Sequence, residues 1–169
     1  IEGVAEDITE YKQAEISLQK EKEWSESIIE NAPNIVVGLG EKSEIKVFNK
    51  YAEKLTGYKA EEVIGKEWIE LFIPEEQRMA INRVWDEIVK NKLIDHQFEN
   101  EILTRSGEKR LIEWSNTILS DDGDFRMILS LGEDITERRQ AREQLRRSEE
   151  KFKSVFESSN AGKSITLLT

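Results

Sequence analysis

Glu133-Asp134-Ile135-Thr136-Glu137 repeats, residue for residue, the stretch Glu6-Asp7-Ile8-Thr9-Glu10 found 127 positions earlier. The agreement continues without a gap, because Ile1, Gln13, Ala14, Leu18, Glu23, Ser27 and Glu30 fall on identical residues at Ile128, Gln140, Ala141, Leu145, Glu150, Ser154 and Glu157. A spacing of 127 exceeds the roughly 20 to 50 residues of a solenoid repeat and matches a whole small domain. The 169 residues are longer than one period and shorter than two. The sequence therefore predicts the end of one repeat at 1–10, a connector helix at 11–30, a complete domain at 31–137, a second connector helix at 138–157 and the start of a further repeat at 158–169. The two copies of the motif should share one conformation, a closing strand that hands over to a helix. An isoleucine at position 1 fits a piece of a longer chain.

The connectors are rich in Glu, Lys, Gln and Arg and contain neither Gly nor Pro, which predicts helices. In the second, Ala141, Leu145, Ser148, Phe152 and Val155 follow a 4-3-4-3 spacing. The equivalent positions of the first are Ala14, Leu18, Glu21, Ser25 and Ile28. Such a stripe suits pairing with a second copy of the chain, giving a homodimer, and equally suits packing on its own domain. The cluster Arg138, Arg139, Arg142, Arg146 and Arg147 reads as a solvated helix face.

Inside the complete unit, Asn31-Ala32-Pro33 ends the incoming helix, because proline disfavours helical backbone in the residue before it. Strands are predicted at 35–39 and 44–48, joined through Gly40-Glu41-Lys42-Ser43. Asn49 can cap a short helix that Gly57 ends in a left-handed conformation. A second short helix runs over 60–64 to Gly65, and a turn carries Trp68, Leu71 and Phe72. Pro74, Glu75 and Glu76 give a longer helix a favourable start, with a buried stripe of Ile81, Val84, Trp85 and Ile88. Three further strands follow at 97–105, 110–119 and 125–134, with turns at Ser106-Gly107-Glu108 and Asp121-Asp122-Gly123-Asp124. Along the middle one, Ile112, Trp114, Asn116 and Ile118 alternate with a more polar set and should face the helices. Two strands, several short helices and three strands make an α+β layer arrangement, helices over one face of an antiparallel sheet.

Composition narrows the functions. With 25 basic and 35 acidic residues the formal charge is −10, so a phosphate backbone or an anionic lipid surface is a poor partner. No apolar run approaches the roughly 20 residues that span a bilayer. The absence of cysteine removes disulfides, thiolate nucleophiles and thiolate metal sites. A single histidine, His96, removes any site that needs two imidazoles. No pair of carboxylates sits in a recognisable catalytic spacing. Gly162-Lys163-Ser164 lacks the glycine that a phosphate loop needs five residues earlier, where Glu157 stands.

The run from Val47-Phe48-Asn49-Lys50-Tyr51 through Leu55-Thr56-Gly57-Tyr58, then Glu61-Glu62-Val63-Ile64-Gly65, Gly107, and finally Gly132-Glu133-Asp134-Ile135-Thr136-Glu137 resembles the PAS sensory domain. The resemblance implies a five-stranded antiparallel sheet cupped by helices, used in series in cytoplasmic signalling proteins such as histidine kinases, with neighbouring PAS and output domains in the parent chain. It further implies that Asp134 and Thr136 couple the sheet to the outgoing helix. Capping of that helix by either residue is the structural alternative. Haem, in such a family, would call for a histidine on the long helix, which has none; His96 near a strand start fits neither that role nor a phosphoacceptor. A flavin–cysteine adduct is excluded, while non-covalent flavin is not, since Trp68, Trp85 and Trp114 could flank its ring. Trp68, Phe72, Trp85, Trp114 and Asn116 are the cavity candidates, with core packing the competing role for each aromatic ring. The expected function is sensory or regulatory, through an unidentified small-molecule ligand or by conformational relay, with a ligand-free dimerisation module as the alternative. Nothing in the sequence supports catalysis by the chain itself or requires a cofactor.

Overall fold

The computed structural model describes residues 2–91, 97–121 and 124–165. The elements in chain order are α1 (Glu2–Asn31), β1 (Ile35–Leu39), β2 (Ile45–Phe48), α2 (Lys50–Thr56), α3 (Ala60–Val63), α4 (Trp68–Phe72), α5 (Glu75–Asn91), β3 (Gln97–Leu103), β4 (Lys109–Asp121), β5 (Asp124–Asp134) and α6 (Thr136–Ile165). They divide into two units, Ile1–Glu133 and Asp134–Thr169. No helix among the described residues is long and apolar enough to cross a membrane.

The five strands form one sheet in the order β2-β1-β5-β4-β3. β1 runs antiparallel to both neighbours, pairing Val37 with Phe48 of β2 and with Ser130 of β5. β3 and β4 form a regular antiparallel pair from Gln97↔Ser115 to Leu103↔Lys109. The first hairpin closes through a Ser43 N–H bond to the Gly40 carbonyl at 3.0 Å. The second turn places Gly107 at φ 82°, a left-handed position that glycine takes without steric cost.

α2 begins and ends where side chain and backbone chemistry dictate. Asn49 Oδ1 accepts from the Ala52 N–H at 3.0 Å, and Gly57, at φ 78°, donates its N–H to the Glu53 carbonyl. Strand periodicity then builds the core: Ile35, Val37 and Leu39 from β1, and Ile112 and Trp114 from β4, pack with Val63, Ile69 and Phe72 from the short helices. Phe72 is the hub. Its ring lies 5.9 Å from Phe48, 5.5 Å from Tyr58 and 4.3 Å from Trp68.

Three expectations are corrected. The stripe on α5 is not fully buried: Ile81, Trp85 and Ile88 are half-buried and Val84 is 46% exposed, because the helix borders a cavity and only part of its face, Ile81 and Trp85, packs against the core. The first copy of the repeated motif sits inside α1, which is helical from Glu2, whereas the second straddles the end of β5 and the start of α6. A strand is held only by a neighbour, and none of the described strands pairs with the first copy. α6 likewise runs on to Ile165, past the boundary expected near 158. One repeat later than Pro33 stands Asn160, which leaves the helix unbroken. His96 and residues 122–123 of the turn expected at 121–124 lie outside the described residues.

Candidate functional site

Strand alternation sends one set of side chains from β1, β3, β4 and β5 toward α5, where Ile81 and Trp85 pack against the core while part of the gap stays open. Between sheet and helix lies a cavity of about 470 Å³, within the roughly 300 to 1,000 Å³ typical of small-molecule sites. Its sheet side carries Val37, Leu39, Phe98, Trp114 and Ile128, and its helix side carries Trp68, Ile81, Val84, Trp85 and Ile88. The polar groups among the lining residues are few. They are Asn100, Asn116 and Ser130 on the sheet, with Arg83 and Glu87 on exposed positions of α5.

The edges hold α5 in place. Trp85 donates its indole N–H to the Glu41 carbonyl in the first hairpin at 2.8 Å. At the other end, Lys109 bridges Glu76 at 2.9 Å and Glu101 at 3.1 Å, and Gln77 also donates to Glu101. The Lys109 ammonium holds the Glu76 carboxyl below its ordinary range. Arg78 fastens the turn into α5 by donating to the Ile73 carbonyl at 3.0 Å and to the Glu70 carboxylate at 2.9 Å.

Of the sequence candidates, Trp68, Trp85, Trp114 and Asn116 line the cavity. Phe72 does not. It is fully buried in the aromatic cluster beneath. Trp68 and Trp114 meet edge to face at 5.6 Å and 88°, not as two parallel walls around a third ring. Trp114 also donates to Asn100 Oδ1, and the Asn100 amide donates onward to the Glu101 carbonyl at 3.2 Å. Asn100 and Ser130 were not anticipated. The signal for Ser130 was available, since it shares the parity of Ile128 along β5.

Asp134 ends β5 and Thr136 begins α6, and neither is among the residues that line the cavity. Asp134 Oδ1 accepts from the Thr136 N–H at 2.9 Å, the two-residue side chain-to-backbone bond that sets a helix entry.

The family model of the PAS domain matches residues 33–137. Among curated proteins, the cyclic di-GMP phosphodiesterase PdeR of Escherichia coli (strain K12) is 28% identical over 124 residues, which cover 73% of this chain and only 19% of that protein's length. The PAS domain of an HTR-like protein from Haloarcula marismortui superposes with a TM-score of 0.60 at 21% identity, covering 73% of this chain and 99% of that one. The PAS domain of the Cronobacter turicensis RpfR quorum-sensing receptor, solved in complex with C12:0, superposes with a TM-score of 0.53 at 30% identity, covering 63% and 97%. With its five antiparallel strands, its helices α2 to α5 and this family match across residues 33–137, the chain belongs to the PAS domain family.

Proposed function

We propose that this PAS domain is a ligand-responsive relay in which a small molecule with an apolar body occupies the cavity under α5 and alters the helix that begins at Thr136. The observation that carries this is the half-buried α5 stripe above about 470 Å³ of mostly apolar space. A ligand that prefers one arrangement of the sheet shifts the population toward it. Ile128 and Ser130 reach the cavity from β5, and the same strand ends at Asp134, immediately before α6. The Cronobacter relative's C12:0 complex, a saturated acyl chain, supports an occupant with one long apolar part.

The test is a titration of the purified chain with decanoate and with decan-1-ol, followed by native mass spectrometry and by the fluorescence of Trp68, Trp85 and Trp114. A one-to-one adduct with a fluorescence change is expected for at least one probe. Binding of neither counts against the reading, and a visible absorption band in the purified chain would point to flavin instead.

A second reading concerns assembly. Leu145, Phe152 and Val155 on α6 are 61%, 75% and 67% exposed at the 4-3-4-3 spacing that suits a facing helix. A second copy of this chain is the proposed partner, giving a homodimer through the connector helices. Light scattering of the wild-type chain and of Leu145→Lys should give a dimer and a monomer; a wild-type monomer at high concentration overturns it. We place the module within a tandem array of a cytoplasmic signalling protein, a histidine kinase in the first instance, and assign catalysis to other parts of that protein. The motif repeated at a spacing of 127 residues supports the array.

A further inference from the structure

Three polar side chains of the sheet reach the cavity, and they differ in what remains for a ligand. Asn100 is engaged by Trp114 and by the Glu101 carbonyl. Asn116 is half-buried and has a partner of its own. Ser130 is different: it is 5% exposed and lines the cavity, its hydroxyl makes no hydrogen bond among the described residues, and it is not a sealed, unsatisfied group but one that faces the cavity. Its backbone is committed to the sheet, opposite Val37. A hydroxyl that faces a cavity and is not engaged by the protein is available to a ligand atom placed against it.

The surroundings decide which atom that is. Among the described residues, the sheet side of the cavity is lined by no cationic side chain. Among the described lining residues Arg83 is the one cation; it is exposed on α5, and Glu87 stands one turn further along the same helix. A carboxylate pressed against Ser130 would be a buried charge without a counter-charge. An alcohol or carbonyl meets no such penalty, and a hydroxyl serves either as donor or as acceptor.

We infer that Ser130 is the specificity-determining residue of the cavity, and that it selects a neutral hydrogen-bonding head group, an alcohol or a carbonyl, carried on an apolar chain. This rests on the cavity being a ligand site, as proposed above, and adds the head-group chemistry and the orientation: polar end on β5, apolar body along α5.

Isothermal titration at neutral pH with decan-1-ol and with decanoate tests it, on wild type, Ser130→Ala and Ser130→Cys, with thermal melts to check the fold. Wild type should bind decan-1-ol more tightly than decanoate. Ser130→Ala should weaken decan-1-ol by about five- to tenfold, the worth of one neutral hydrogen bond, and leave decanoate unchanged. Ser130→Cys, close in size but a weaker partner, should fall between. Equal decan-1-ol affinity in wild type and in both folded variants overturns the Ser130 assignment while leaving the ligand site standing. Tighter decanoate binding that is lost in Arg83→Gln overturns it too, by placing the head group at α5. Binding of neither probe to wild type removes the ligand site and this inference with it.

Discussion

Asn49 and Val36 are hydrogen-bonded in both directions: the Asn49 N–H donates to the Val36 carbonyl at 3.2 Å, and Asn49 Oδ1 accepts from the Val36 N–H at 3.0 Å. The same Oδ1 caps α2, and the amide nitrogen donates to the carbonyls of Ile29 and Asn34 at 3.1 and 2.9 Å. One fully buried side chain thus joins the end of α1, the start of β1 and the start of α2. Asn49→Ala should destabilise the chain by about 2 to 4 kcal/mol, through a lost cap and unpaired buried groups. Urea unfolding should show a lower midpoint at unchanged slope. Asn49→Asp keeps the acceptor but sets a buried carboxylate oxygen against the Ile29 and Asn34 carbonyls, so at neutral pH it should cost at least as much as Asn49→Ala.

Trp85→Phe keeps the ring in the cavity wall and removes the bond to the Glu41 carbonyl. The loss should be about 1 kcal/mol and confined to α5. Amide hydrogen exchange should quicken along α5 and stay unchanged in β1 and β5; uniform acceleration would mean that the bond supports the whole domain.

Gly132 lies where a Cβ would come within 2.6 Å of the Trp114 ring and 2.8 Å of Ile112 Cγ2. Gly132→Ala should overpack this place at a cost of about 1 to 3 kcal/mol. Because Trp114 lines the cavity, its fluorescence should change as well. An unaltered melting temperature would show that the indole moves aside freely.

The Ala60 N–H at 2.9 Å, with Lys59 and Lys50 nearby, holds the Glu53 carboxyl below its ordinary value of 4.5. A carboxyl depressed on folding adds stability that is fully present above its unfolded value and is lost as the pH falls through its folded one. Glu53→Gln should therefore be less stable than wild type at neutral pH, and the gap should close as the pH drops below 4.5. Parallel urea midpoints across that range would contradict the assignment.

Asp134→Ala removes the acceptor for the Thr136 N–H. The first turn of α6 should fray, at a cost of about 1 kcal/mol, seen as faster exchange of its leading amides with the sheet intact. In the parent protein the same change should alter regulation. Unchanged regulation with a frayed turn would leave Asp134 a cap and nothing more.

Much of this architecture was legible because its signals are local. Asn49 before α2 and Gly57 after it act on backbone within a few residues, and the alternation in β4 sorts Ile112 and Trp114 from Glu113 and Ser115. Where the outcome turned on distant partners, sequence reasoning fell short. The apolar stripe of α5 looks the same whether it meets a core or a cavity, since periodicity fixes a face and not the gap beneath it. Phe72 and Trp68 share one short helix, yet only the second borders the cavity. Ser130 passed unnoticed in an apolar strand, because a hydroxyl's significance lies in whether anything answers it.

α5 has no fully buried side chain, and its attachments are concentrated at its rims. A beam tied at a few points and resting only on the partly buried Ile81 and Trp85 bends more readily than a sheet bonded along every strand. Mechanical compliance in this fold is thus localised in one seventeen-residue segment, which can yield while the five strands keep their registry.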